Sequence, residues 1–303
     1  MLDVRRLRLL RELARRGTIA AVAEAFAYTP SAVSQQLTAL ERESGATLLE
    51  RTGRRVTLTP AALLLVERTE SILAILEEAA ADLASAEATV TGTLRIGVFP
   101  TAVPTILTPA LVTLSAAHPG LDLLVAELDP AAVPDALREK ALDVALVQEY
   151  DHVPFVPDTA LQTELLLEET VHLAALSRGP LRVRHDARWI AGTPNTLCHT
   201  LTLRACEAAG FTPDIRHHAD DFGAVLALVA AGQGVALVPD LGALAPPAAV
   251  VLTATPIRRT THLAYRRGTA AHPAISAARK ALHDAAAEID PKKSEGTRVP
   301  RRS

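Results

Sequence analysis

Four polar side chains at helical spacing, Ser31, Ser34, Gln35 and Thr38, are followed closely by Arg51, Arg54 and Arg55 around Gly53. Hydroxyls short enough to let a helix sit deep in a major groove, beside a glutamine that can pair with an adenine edge, suit the reading of bases. Guanidinium groups on a hairpin tip suit phosphate oxygens or the minor groove. The chemistry implied is recognition of duplex DNA rather than bond making. The chain has no GxSxG elbow, GxxxxGK[ST] loop, HExxH pair or GxGxxG at a strand–helix junction. An enzyme is therefore not expected, and neither a cofactor nor a metal site is implied.

The elements that must hold these groups are legible around them. A first helix over 3–16 sets Leu7, Leu10 and Leu13/Ala14 on one face, and Gly17 ends it. A second helix over 19–26 buries Ile19, Val22, Ala23 and Phe26. Thr29 then reads as an N-cap, and Pro30 fits the first turn, where its missing N–H costs nothing. From there Val33, Leu37 and Leu40 form the inward face, with Ala32 and Gln36 at its margins, and Ser31, Ser34, Gln35 and Thr38 point outward. The runs 47–50 and 56–58 flank the arginine tip as a two-stranded wing. This is a winged helix-turn-helix over 1–60, an all-α head that places its third helix in DNA. Thr29, Pro30, Ser31, Ser34, Gln35, Thr38, Arg51, Arg54 and Arg55 are the candidate DNA-contacting set. A plain three-helix bundle would explain the leucines but not the polar outer edge followed by arginines.

The stretch TPSAVSQQLTALE (29–41), then LLER (48–51) and RRVTLTP (54–60), resembles the N-terminal domain of LysR-type transcriptional regulators, with an uninterrupted match over about 7–62. Gln35 stands where many members carry arginine, which bears on base preference rather than on DNA binding. Ala62 replaces a glycine usual after the threonine-proline of that motif.

Charge follows the same division. Residues 1–60 hold ten arginines and six acids, so the head carries +4 and the remaining 243 residues −7 of the net −3. A basic head on an acidic body suits one module for phosphate and another for something else. Two cysteines in 303 residues fit a reducing compartment and no disulfide scaffold. No run approaches the roughly 20 apolar residues of a membrane span, and arginine recurs through the first residues where a signal peptide needs an apolar core. A cytoplasmic protein without membrane partners is expected.

Residues 61–89 lack glycine and proline, and Leu65, Thr69, Ile72, Leu76, Ala79, Leu83 and Ala86 recur at alternating intervals of four and three. That is the seam of paired helices, and at 1.5 Å per residue the linker (61–90) spans roughly 43 Å. The resemblance assigns it to dimerisation, so a homodimer or homotetramer is expected. Two such heads read two half-sites. A helix packed lengthwise on its own domain is the alternative.

From Thr93 strands and helices alternate: strand 94–98, helix 103–117, strand 121–128, a short helix near 131–140 and strand 143–147. After a proline-bearing segment at 148–162 come strand 170–176, helix 199–209, strand 215–219, helix 221–231, strand 235–239, strand 262–266 and helix 274–289. Such alternation predicts a parallel sheet with helices on both faces. By resemblance this is the effector domain (91–290), two α/β lobes like those of type 2 periplasmic binding proteins, with lobe I near 91–161 and 266–290 and lobe II near 162–265. The phrase VAAGQGVALVP (229–239) is similar to the family pattern. The tail 291–303 is polar and basic and reads as disordered.

In open α/β sheets ligands lie beyond the carboxyl ends of strands, near helix N-termini. That rule selects Thr101, Asp129, Gln148, Thr193, Pro194, Asn195, Asp221 and Phe222 as candidate effector contacts, although several could equally be helix caps or turn residues. The resemblance places effector contacts in the same interlobe cleft, and it implies a small-molecule effector and RNA polymerase as further partners. Cys198 and Cys206 lie roughly where peroxide-sensing members keep a redox pair, which leaves a redox-sensing regulator as an alternative. A solute-binding module without a regulatory role is a further one. On one helix, however, residues eight apart are about 12 Å apart along the axis, beyond disulfide reach. The adjacent His217 and His218 fall in an expected strand and point to opposite faces, so a shared metal is not expected.

Overall fold

The apolar spacing at the start of the chain folds as three helices and a wing. In the computed structural model the structure describes residues 1–52, 55–86, 89–153 and 158–289. The residues form two compact units, Met1–Ala79 and Ala80–Ser303.

The first unit holds α1 (Val4–Arg16), α2 (Ile19–Ala25), α3 (Pro30–Ser44), β1 (Leu49–Thr52) and β2 (Arg55–Leu58). Its core joins Leu7, Leu10 and Leu13 of α1 to Val22 and Ala23 of α2 and to Val33, Leu37 and Leu40 of α3. Burying each leucine stabilises the unit by about 1.5–3 kcal/mol. Ala14 is exposed, contrary to expectation. Leu9 and Glu12 are buried instead. Glu12 is tolerated inside because Arg11, Arg15 and Arg16 all reach its carboxylate, at 2.6–3.0 Å. Gly17 ends α1 in the left-handed conformation, and the turn into α3 carries Ala27 at φ +53°. β1 and β2 pair antiparallel, Leu49 opposite Leu58 and Thr52 opposite Arg55.

α4 (Pro60–Ser85) follows, shorter at its end than the expected 61–89. Thr59 starts it by accepting from the Ala62 N–H while donating to the Thr47 carbonyl. The seam divides along its length. Leu65, Thr69 and Ile72 are buried or half-buried, whereas Leu76, Ala79 and Leu83 are exposed, as are Leu63, Leu64 and Ile75 off the seam.

The second unit is built on a six-stranded sheet ordered β4-β3-β5-β10-β6-β9. Its strands are β3 (Gly92–Val98), β4 (Leu121–Glu127), β5 (Val144–Tyr150), β6 (Leu161–Ala175), β9 (Ala236–Pro239) and β10 (Val251–Arg266). β3 runs parallel to β4 and β5, but β10 is antiparallel to both β5 and β6, and β6 to β9. The sheet is therefore mixed, not parallel, because two long strands return across it. A separate parallel pair, β7 (Arg188–Ala191) and β8 (Asp214–His218), is bridged to the Val235 backbone. The helices are α5 (Thr108–Ala117, entered through a π-helical turn at Val103–Leu107), α6 (Val133–Arg138), α7 (Leu197–Ala208), α8 (Phe222–Ala230) and α9 (Pro273–Ile289).

Alternation along the strands assigns the layers. Val144 and Leu146 of β5 face the core under α5 and α9, while Ala145 and Val147 face α6. At the other end Val171 and Leu173 pack with Trp189 and α7, and Ala174 packs with α8. β6 and β10 contribute to the cores at both ends of the sheet. Pro256 interrupts the β10–β6 ladder between Ala254 and Arg258. There the Thr255 hydroxyl donates to the Val171 carbonyl at 2.6 Å and accepts from Ile257 N–H.

Two carboxylates tie acid stability to the fold. Burial pushes Glu12 up, but the Arg15 hydrogen bonds and the charges of Arg11 and Arg15 outweigh it and hold the carboxyl below its ordinary value of 4.5. Glu164 is likewise raised by burial and brought lower by Arg279, Tyr265 and His283. A depressed folded value contributes stability above the ordinary one, lost as pH falls through the folded one. Thermal melts from pH 7 down through 4.5 should therefore show Glu164→Gln losing less melting temperature than wild type on acidification. Parallel curves would contradict the assignment.

Candidate functional site

Two places in the chain gather polar groups that no core requires. The first is the outer edge of α3. Thr29 caps the helix, its Oγ1 accepting from Ala32 N–H at 3.2 Å and lying 3.0 Å from Ser31 Oγ. Pro30 occupies the first turn, and Gly45 closes the helix at φ +66°. With Val33, Leu37 and Leu40 inward, Ser31 and Gln35 are exposed and Ser34 and Thr38 half-buried on the opposite side. Arg6 clamps α1 to α3 by donating to Gln36 at 2.9 Å and pairing with Glu43. Glu41 Oε1 accepts from the Leu48 and Leu49 N–H groups at 2.9 and 3.1 Å, fixing where the wing leaves α3. Beside this edge Arg5, Arg8 and Tyr28 line a groove with Gln36, a basic extension that sequence spacing did not single out. The backbones of Arg51 and Arg55 lie in the wing strands. Arg54, like Gly53, lies outside the described residues, as do the side chains of Arg51 and Arg55 and the tail 291–303.

The second place is a cleft of about 330 Å³ in the Ala80–Ser303 unit, at the carboxyl ends of β3, β4 and β5. Phe99, Pro100 and Thr101 follow β3, Leu128, Asp129 and Pro130 follow β4, and Gln148 lies in β5. Thr196, Leu197 and Cys198 open α7, and Asp220 and Phe222 precede and start α8. Of the expected contacts, Thr101, Asp129, Gln148 and Phe222 line it. Thr193, Pro194, Asn195 and Asp221 do not. α7 starts at Leu197 with Thr196 as cap, so 193–195 stand a turn too early, and Asn195 adopts φ +74° in that turn. Asp221 caps α8, accepting from Ala224 N–H at 2.8 Å, and Asp129 accepts likewise from Ala131 N–H at 2.8 Å but also lines the cleft. Asp220, one residue earlier, reaches the cleft while accepting from the Thr193 N–H and hydroxyl at 2.9 and 2.8 Å.

The floor is a buried ion pair absent from the sequence expectations. Arg259, fully buried, donates through Nε and Nη2 to Glu169 at 2.9 and 2.7 Å and through Nη1 to Gln148 Oε1 at 3.1 Å. Its guanidinium lies 5.2 Å from the centre of the Phe99 ring, within cation–π range. Glu169 also accepts from Leu241 N–H at 2.9 Å. Burial lowers the arginine, but the Glu169 charge and hydrogen bond outweigh it and keep the cation. Thr101 Oγ1 is buried beside this floor with no hydrogen-bond partner among the described residues.

Both thiols are free and both lie on α7, eight residues apart. Cys206 is in the core with Trp189, and burial pushes it up to about 12. Cys198 lines the cleft 3.7 Å from the Tyr150 hydroxyl. Burial raises this thiol, and Asp220 and Asp129 add to the rise, against lowering by Tyr150 and Arg259. His217 and His218 diverge, His218 Nδ1 lying 2.9 Å from the Gly192 carbonyl. Among the described residues no cluster of three metal-ligating side chains occurs, and no helix is long and apolar enough to cross a membrane.

Removing the cation alone would strand Glu169. Arg259→Met should cost about 3–5 kcal/mol in urea unfolding, as expected when one member of a buried pair is lost. Adding Glu169→Gln, which still accepts from Leu241 N–H, should recover most of it. An Arg259→Met midpoint equal to wild type would contradict the pair's role.

The same two regions match known families. A model of the bacterial regulatory helix-turn-helix protein, lysR family, matches residues 4–63, and one of the LysR substrate binding domain matches 87–287. A probable hydrogen peroxide-inducible genes activator from Streptomyces viridosporus is 31% identical over 225 residues, 72% of this chain and 71% of that protein. Among solved structures, a mutant of Corynebacterium glutamicum OxyR with hydrogen peroxide bound aligns over 100% of this chain and 98% of its own, at 22% identity and TM-score 0.56. Full-length CbnR in complex with its target DNA aligns over 94% and 99%, at 19% identity and TM-score 0.53. At those identities the structural likeness speaks for the fold. The matches over both regions place this chain in the LysR family, as a LysR-type DNA-binding transcriptional regulator.

Proposed function

We propose that the chain reads operator DNA through the outer edge of α3 and that a small molecule in the cleft beside Arg259 controls that binding. The observation that carries the first part is the separation of faces on α3. Val33, Leu37 and Leu40 are sealed in the core, while Ser31 and Gln35 face solvent with Ser34 and Thr38 beside them. Thr29 and Pro30 set the helix start, and Arg51, Arg54 and Arg55 of the wing contact phosphates or the minor groove. The complex of CbnR with target DNA supports this use of the fold.

Control by a small molecule rests on the cleft. Thr101, Asp129, Gln148 and Phe222 line it with Cys198, Asp220 and Arg259, and its volume falls within the range of ligand pockets. A ligand acts only as far as it binds one arrangement of the protein more tightly than another. The exposed Leu76 and Leu83 of α4 fit pairing with a second copy, which supports a dimer or dimer of dimers reading two half-sites in the cytoplasm. RNA polymerase is the further partner through which such binding would change transcription.

A redox reading is supported by relatives named for peroxide and by the place of Cys198 in the cleft. The geometry favours the small-molecule reading, because both thiols are raised and eight residues of α7 separate them. If peroxide is the signal, Cys198→Ser abolishes its effect on DNA binding. On the reading preferred, peroxide leaves wild type and variant alike.

Gel shifts on DNA flanking the encoding gene test the head. Ser34→Ala with Gln35→Ala should reduce preference for operator over random duplex by about 1–3 kcal/mol. Arg54→Ala with Arg55→Ala should weaken all duplexes and lower the salt slope by roughly one per lost phosphate contact. Unchanged binding in both would refute the assignments.

A further inference from the structure

The cleft has different chemistry at its two depths. Its floor offers hydrogen-bond donors. Gln148 is only 8% exposed, and its Oε1 is taken by Arg259, while its amide nitrogen makes no hydrogen bond to the described residues. Thr101 Oγ1 is buried and unpartnered beside it. The Arg259 charge is already balanced by Glu169, so the floor supplies donors without a free positive charge.

The rim is the reverse. Glu127, Asp129 and Asp220 line it and are exposed, the first two from the end of β4 and the third from the approach to α8. Among the described residues no lysine or second arginine lines the cleft to oppose them. Their field reaches inside, since Asp220 and Asp129 both raise the Cys198 thiol. Between floor and rim the walls are apolar, with Phe99, Phe222, Leu128 and Leu197. A simple carboxylate has no uncompensated cation to meet here. An ammonium group at the rim meets carboxylates of opposite charge, an attraction that strengthens as water leaves the cleft.

Resting on the reading of this cleft as the effector site, we infer that the effector is a small organic amine. Its ammonium lies between Asp129 and Asp220, its apolar body lies against Phe99 and Phe222, and an oxygen at its far end accepts from Gln148 and Thr101. Asp220 is held in place for this by its two bonds from Thr193.

A matched series tests the class: tyramine, tyrosol and 4-hydroxyphenylacetate share a phenol and an ethyl- or methylene-linked body but end in ammonium, hydroxyl or carboxylate. Isothermal titration of the full-length protein at pH 7 should rank them in that order, with tyramine at least about tenfold tighter than the carboxylate. Asp129→Asn, at an exposed position, should weaken tyramine by a similar factor and leave tyrosol unchanged. Asp220→Asn should do the same. 4-Hydroxyphenylacetate binding as tightly as tyramine, or Asp129→Asn and Asp220→Asn leaving tyramine unaffected, overturns the amine class. If that binding is lost in Thr101→Trp, which fills the cleft, the effector site itself survives. Failure of all three to bind wild type, or binding that persists in Thr101→Trp, overturns both.

Discussion

A helix can be offered to another molecule only if its own core holds it by one face and leaves the other alone. In this chain that constraint is met by three side chains of α3, Val33, Leu37 and Leu40, each at most 1% exposed among Leu7, Leu10 and Val22. Everything around them maintains the arrangement. Thr29 and Pro30 set where the helix starts, Gly45 where it stops, and Glu41 where the wing departs. The Arg6 contacts to Gln36 and Glu43 keep α1 against the helix from outside the core. Glu12, buried among three arginines, is part of the same economy: it fixes long cationic side chains on α1.

The second unit solves a different problem, that of joining two layers of helices through one sheet. β6 and β10 run through both ends, and at their crossing they place Arg259 and Glu169 side by side, fully desolvated. A buried pair of this kind contributes little to net stability compared with apolar residues of the same volume. Its use here is positional. It carries donors to the floor of a cleft whose mouth is acidic, and it anchors Gln148 of β5 and the Leu241 N–H to the same point.

Local signals were the legible ones. The cap, proline and glycine of α3, the apolar spacing of the head and the strands of β3, β4 and β5 could be read because each depends on residues a few positions apart. β6 up to Glu169, with Glu164 and Glu168, and the first half of β10, with Pro256, look like loop because their polar positions make sense only once they are paired. β7 is four residues long and its pairing lies beyond a helix. Arg259 could not be found by spacing, since its partner is ninety positions away. In the Asp220-Asp221 pair the strand-end rule chose the capping residue, and its neighbour faces the cleft. Alternation alone suggested a parallel sheet, whereas the antiparallel returns of β6 and β10 follow from long-range pairing.

The most direct measurement of the account replaces Gln35 with benzoylphenylalanine, a photo-cross-linking residue, and irradiates the full-length protein with the duplex flanking its gene. Covalent linkage to bases in one groove of the duplex is expected, and none from the same replacement at the exposed Leu203 of α7. Absence of linkage from position 35 under conditions where the duplex is bound would contradict the claim that this edge of α3 enters the DNA.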